Sequence, residues 1–264
     1  MTTLSEKITL RGIGLHTGAE SEISLNPYDK KGIFFRFGRE TVKATAETVC
    51  DTSRCTMLNL GGHIVQTCEH LLGVIYALGI DSVLIENSSD EIPIFDGSGK
   101  MWCEVLKDKI TGKKDCPATI KEKIKVSDGD AFIEALPSNA PEIEYHLDYS
   151  HPMIGKSSFV YTPEKFEEYI APSRTFALFE EVEFLRKNGL AKGGSEENCI
   201  IVFPDRISVP LRHREEFATH KILDLLGDMS LIGASLDIKI NACKSGHRLN
   251  NIFAKKLRTV IDNA

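Results

Sequence analysis

The sequence has no C-x-x-C pair: its seven cysteines are scattered, and the nearest two, Cys50 and Cys55, stand five apart. That excludes a structural zinc site built from four cysteines. An odd count also argues against a disulfide framework, so free thiols in a reducing compartment are expected. Long apolar runs are missing too, since the longest, around Leu71 to Leu78, is far below the roughly 20 residues needed to cross a bilayer. The polar start Met1-Thr2-Thr3 lacks the character of a secretory signal. A soluble, cytoplasmic protein without a membrane span is expected. Neither half is basic: residues 1–117 carry 13 Lys+Arg against 16 Asp+Glu, and residues 118–264 carry 19 against 22. This excludes a nucleic-acid-binding arm, and any polyanionic ligand must be met by a few local Lys or Arg residues in a cleft. No low-complexity segment and no internal repeat is visible.

What is present suits a globule. With 42% hydrophobic residues and 13 Phe, the chain can bury a substantial core, and 264 residues lean toward two domains. Short alternating patterns bounded by Gly, Pro or Asp predict strands over 22–25, 32–37 and 82–86. Cys68 to Leu78 is apolar on nearly every face after its first three residues, as a buried helix would be. Thr67 is placed to cap it, leaving Glu69 and His70 in its first turn, looking out of the core. The charged stretch 107–117, with Gly112 and Pro117, is the best linker candidate, which divides the chain into domains 1–112 and 118–264. Beyond it, strands are expected over 120–125, 131–136, 142–148 and 238–243, and helices near 164–170, 176–188, 215–226 and 250–260. Strands clustered apart from helices predict α+β layers.

Chemistry concentrates on a few histidines. His220 and Asp224 lie four apart, so on a helix they share one face and can converge on one ion, with Asp228 one turn further on. The competing reading is an ordinary hydrogen-bonded pair on a solvated stripe. Glu69-His70 places a carboxylate where a helix N-terminus favours its ionised form. The third element is the basic turn Lys244-Ser-Gly-His247 leading into a helix, which could be no more than a helix entry capped by Ser245. Together they supply three N/O ligands and a carboxylate beside an open position, as a hydrolytic zinc centre requires. Two His and one carboxylate also describe non-haem iron oxygenases, but the helical four-residue spacing favours the hydrolase. Gly12-Ile-Gly14-Leu-His-Thr-Gly18 is not a dinucleotide fingerprint, because its third Gly is one residue late and no helix pattern follows. Asp96-Gly-Ser-Gly99 is turn chemistry.

In order along the chain, Gly12-IGLHTG, Thr67-CEHLLG, Leu78-GIDSVLIE with Glu91-IPIFDGS, Ser173-RTF, Gly193-GS, Thr219-HKILDLLGD and Lys244-SGHRLNN resemble the zinc-dependent UDP-3-O-acyl-N-acetylglucosamine deacetylases of lipid A biosynthesis. The resemblance implies two α+β domains, each with a small inserted subdomain, and an active site in the cleft between them. It implies one zinc ion held by His70, His220 and Asp224, with iron(II) as the alternative ion. Glu69 would be the general base, Thr175 would hydrogen-bond the oxyanion, and His247, oriented by Asp228, would be cationic and protonate the departing amine. Lys221 would face the polar groups of the acylated UDP-amino sugar, with Lys244 and Arg248 near its diphosphate. Tyr149 would lie against the nucleoside, and Phe176, Val182 and Ile201 would also contact substrate. The enzyme would work near a membrane surface without spanning it.

One departure stands out. After Gly193-Gly194-Ser195 the family usually places an apolar residue lining the acyl passage, whereas this chain has Glu196 followed by Glu197. An unpaired charge there would be costly to bury. Either Glu196 turns to solvent or the passage is altered, which keeps open a deacetylase for another or short-chain N-acetylated sugar nucleotide. A homologue that binds a metabolite or partner without catalysis is the remaining alternative.

Overall fold

The computed structural model describes residues 1–263. Two five-stranded sheets carry the fold, and they share one plan. In the first the strands run in the order Ile8–Ile13, Glu20–Asn26, Ser82–Asn87, Gly32–Phe37, Glu40–Lys43. In the second the order is Ile124–Asp128, Ala131–Pro137, Ile238–Cys243, Glu142–Asp148, Lys156–Tyr161. Each sheet is two hairpins with the last strand in chain order inserted between them, antiparallel to one neighbour and parallel to the other. Val83, Leu84 and Ile85 form a continuous apolar run because they occupy such a central position, and all three are buried.

The helices repeat the plan. In the first half, helix α1 (Glu69–Ala77) precedes the inserted strand and α2 (Lys100–Leu106) follows it. In the second half, α3 (Phe179–Lys187) belongs to an excursion described below, α4 (Glu216–Ser230) precedes the inserted strand, and α5 (His247–Asp262) follows it. Between the fourth strand and the helix, each half makes that excursion. The first builds a three-stranded sheet from Val49–Asp51, Met57–Leu60 and His63–Val65. The second pairs Phe176–Leu178 with Ile200–Val202 in parallel, joined through α3. The architecture is α+β, as expected. The duplication is one of topology, carried by residues too dissimilar to show as a sequence repeat.

Several expected elements differ. Thr67 does not cap α1: Cys68 holds the N-cap position, and Thr67 itself takes φ 56°. Residues 164–170 form a 3-10 turn and a π turn instead of an α-helix. The strand expected at 120–125 begins at Ile124. The segment 176–188 splits into a short strand and α3. Ser245 caps nothing, since Gly246 occupies the N-cap of α5 and the Ser245 hydroxyl is buried without a partner. Within the stretch expected as linker, Ile110–Gly112 is a strand, pairing antiparallel with Thr2–Leu4. The chain then passes to Ala118, whose amide donates to the Ser235 carbonyl at 2.8 Å. Among the described residues no helix is long and apolar enough to cross a membrane.

Candidate active site

The site begins as a helix crossing. Leu71, Leu72, Val74 and Ile75 of α1 and Ile222, Leu223, Leu225 and Leu226 of α4 are almost wholly buried, and each such side chain contributes roughly 1.5–3 kcal/mol by leaving water. Two glycines let the backbones approach. A Cβ on Gly227 would lie 2.1 Å from the Glu69 carbonyl oxygen, and one on Gly73 would lie 2.7 Å from that of Leu223. The approach sets the first turn of α1 against the middle of α4, so Glu69 and His70 meet His220 and Asp224. All four side chains are buried at the crossing, where a view out of the core had been expected for the first two.

His70, His220 and Asp224 offer three donor atoms that all lie within 4.8 Å of one another. His70 Nε2 is 3.7 Å and His220 Nε2 is 3.5 Å from Asp224 Oδ1. His220 Nδ1 faces the Ser173 carbonyl at 3.1 Å, an acceptor that fixes the tautomer and leaves the Nε2 lone pair toward Asp224. Burial, reinforced by His220, pushes His70 down to about 3, and burial also lowers His220. Burial opposes ionisation of Asp224, but the positive charges of Lys221 and His247 outweigh it and hold its carboxyl well below the usual range. Two neutral imidazoles and one carboxylate are the protonation states a divalent cation requires of its ligands, so this donor set fits a metal ion.

Around that group sit the residues for proton transfer. Glu69 is raised to about 7, mainly by burial and against the pull of His247. His247 Nδ1 is 2.9 Å from Asp228 Oδ2, and its Nε2 is 3.9 Å from Glu69 Oε1. Burial disfavours the imidazolium, yet Asp228, Asp224 and Glu69 prevail and push His247 up to about 9. A cationic imidazole therefore stands beside the metal group, oriented by Asp228, whose Oδ2 also accepts from Asn250 Nδ2 at 2.8 Å.

Thr56 joins these parts, and the sequence reading missed it. Its amide donates to Glu69 Oε2 at 3.1 Å, and its hydroxyl bonds Asp228 Oδ1 and lies 3.2 Å from His247 Nδ1. No helical spacing links Thr56 to Glu69, so only the fold brings them together. Arg174 and Glu216 were also missed. Arg174 Nε and Nη2 reach Glu216 at 2.8 and 3.0 Å, a bidentate buried pair that ties the segment 173–175 to the first turn of α4.

The substrate-facing expectations divide. Thr175, Phe176, Val182 and Ile201 line a cavity of about 120 Å³, with His16 and Arg54 among the other wall residues. The Phe176 ring lies 5.8 Å from Tyr149 and 6.2 Å from His220, so the cavity adjoins the metal group. Glu196 is exposed and outside this wall. Arg54 pairs with Glu181 at 3.1 Å on the rim, and Arg186 also lines the cavity. The basic residues are committed: Lys221 Nζ bonds Asp224 Oδ2 at 2.6 Å, Lys244 pairs with Asp130, and Arg248 pairs with Asp128. Lys221 is thereby a partner of the carboxylate in the group that could hold a metal ion.

Over residues 1–259 the chain matches the sequence model of the family described as UDP-3-O-acyl N-acetylglycosamine deacetylase. Among similar proteins, one from Helicobacter pylori strain J99, named UDP-3-O-acyl-N-acetylglucosamine deacetylase, is 35% identical over 97% of this chain and 90% of its own length. Proteins of the same name from Aliarcobacter butzleri and Oleidesulfovibrio alaskensis are 36% and 38% identical, over 97% and 99% of this chain and 88% and 89% of their own lengths.

Proposed function

The chain belongs to the UDP-3-O-acyl N-acetylglycosamine deacetylase family, and from that premise we propose how its own residues carry out the reaction. It is an amide hydrolase that acts on UDP-3-O-acyl-N-acetylglucosamine in lipid A biosynthesis, releasing acetate and leaving a free amine at C2. We propose zinc, with iron(II) as the alternative, held by His70, His220 and Asp224. When bound, such an ion polarises the amide carbonyl and makes water more acidic.

The proton inventory follows from the side chains. Glu69 accepts a proton from the attacking water as its oxygen bonds to the carbonyl carbon. His247, already cationic, stabilises negative charge and gives its Nε2 proton to the nitrogen as the C–N bond breaks. Asp228 and Thr56 keep its Nδ1 side fixed throughout. Thr175 is proposed as the hydrogen-bond donor to the developing oxyanion. The acyl chain is assigned to the cavity of Phe176, Val182 and Ile201, with Tyr149 at its edge against the nucleoside and Lys221 holding Asp224 while facing the polar part of the substrate. The exposure of Glu196 supports this assignment, since the feature that suggested an unacylated substrate lies outside the wall. We also propose that 1–112 and 118–264 are the two domains, neither active alone.

The observation that carries the reading is the meeting of Glu69 and His70 from α1 with His220 and Asp224 from α4. Acetate release tests it. Protein loaded with one equivalent of zinc should deacetylate the 3-O-acylated UDP-sugar, with a strong kcat/KM preference over the unacylated one, and Glu69→Ala should abolish turnover. Release that is absent, or indifferent to Glu69→Ala, refutes the reading.

A further inference from the structure

Glu91 is completely buried yet lies outside the machinery described above. Its carboxylate is the common acceptor for two separate segments. Oε1 accepts from the His16 amide at 2.8 Å and from the Thr67 hydroxyl at 2.9 Å. Oε2 accepts from the Thr17 amide at 2.8 Å and from the Thr17 hydroxyl at 2.7 Å. Two of the four donors are backbone N–H groups, which cannot reverse their role, so the position requires an acceptor. The backbone of Glu91 is fixed as well, because its carbonyl accepts from Asn87 Nδ2 and Ser89 Oγ, both at 3.0 Å.

Both segments lead to the site. Thr67 enters α1 two residues before Glu69, with φ 56°, a conformation β-branched residues rarely take. The turn 14–17 carries Leu15 and His16, which line the cavity assigned to the acyl chain. This turn also seats the opposite rim, since the Lys192 amide donates to the His16 carbonyl at 3.2 Å and the Gly193 amide to that of Leu15 at 3.1 Å. Gly14 completes the device: a Cβ there would lie 2.3 Å from Glu91 Oε2. Gly14, within the motif that failed as a dinucleotide fingerprint, thus has a physical reason, which is to admit this carboxylate.

We propose that Glu91 is a positioning residue that holds the entry of α1 and the acyl-cavity turn in one register, its Oε1 bridging the two segments and its Oε2 serving the turn. This deepens the deacetylase reading and rests on it. The bond from the Thr67 hydroxyl governs the placement of Glu69 and His70, and hence kcat. The bonds from Thr17 and from the His16 amide govern the cavity wall, and hence discrimination for the acyl chain.

The test uses full-length zinc-loaded protein, with kcat and KM measured for acylated and unacylated UDP-N-acetylglucosamine, zinc content and melting temperature. Glu91→Gln is isosteric but turns N–H groups toward donors, and should lower kcat/KM on the acylated substrate about 10–100-fold with one zinc retained. Thr67→Val should lower kcat several-fold and leave the acylated-to-unacylated preference unchanged. Thr17→Val should lower that preference several-fold at nearly constant kcat on the unacylated substrate. Should Glu91→Gln fail to fold, the two threonine variants still decide the matter. The proposal is overturned if the variants melt earlier but keep wild-type kcat, KM and preference per zinc-loaded molecule. A wild-type protein that releases no acetate refutes the deacetylase reading instead.

Discussion

Glu69 and His247 face each other at 3.9 Å, and both hold protons more firmly than the free side chains do, for different reasons. Burial raises the carboxyl, whereas three neighbouring carboxylates overcome burial to raise the imidazole. Removing either is expected to affect rate more than binding of the ion: Glu69→Gln or His247→Ala should lower kcat by about 10²–10⁴ with zinc content unchanged. His70→Ala and Asp224→Ala should instead lose the ion, and a zinc-replete His70→Ala would contradict the donor set. Not all buried carboxylates here serve the reaction. Glu216 is lowered although burial opposes it, because Arg174 and two backbone amides bond its charged form. A depressed folded value means that its contribution is present above the ordinary value of 4.5 and is lost as pH falls below it. Glu216→Ala leaves Arg174 buried and unpaired and should cost about 3–5 kcal/mol near neutrality. Urea melts at pH 7 and pH 4 check this, since the deficit against wild type should narrow at the lower pH.

At the scale of elements, legibility followed periodicity. The expected helices 68–78 and 215–226 are observed at 69–77 and 216–230, because apolar faces at helical spacing report burial directly. The Glu-His and His-x-x-x-Asp elements were visible for the same reason. Thr56, Arg174 and Glu216 were not, since each acts through a partner brought near only by the fold. The π turn at 166–170 shares its apolar spacing with an α-helix, and Thr67 carries the residue type of a cap but uses its hydroxyl for Glu91. Glycine inside an apolar helix reads as a weakness from sequence alone, yet here it sets the distance between α1 and α4. Gly227→Ala therefore makes a sharp prediction. A Cβ 2.1 Å from the Glu69 carbonyl must push the helices apart, costing about 1–3 kcal/mol or more and spreading the three donors. Zinc content and melting temperature should fall together, and a variant that keeps both at wild-type levels would show that the crossing tolerates the extra atom.

For the whole molecule, the two halves repeat one topology, and the pair of helices that precede the inserted strands, α1 and α4, come together to form the site. The halves share strand order without sharing side-chain identity, which is why the repeated topology was invisible in the sequence. One apolar core runs through both halves, from Leu4 and Ile85 to Ile240 and Leu257, so folding is expected to be one cooperative event. The proposed ion adds a second tie, since His70 comes from the first half and His220 and Asp224 from the second. An ion bound only by the folded chain stabilises by RT ln(1 + [L]/Kd), about 2.7 kcal/mol at a hundredfold excess over Kd. For a chain of this length that corresponds to roughly 5–10 °C in Tm. Stripping the ion with a chelator should therefore lower Tm by this amount and leave a single calorimetric transition, with full recovery on adding zinc. In Asp224→Ala the chelator should change nothing. Two transitions in the stripped protein would mean that the ion, and not the shared core, joins the halves, whereas an unchanged Tm would mean that the three buried donors hold no ion at all.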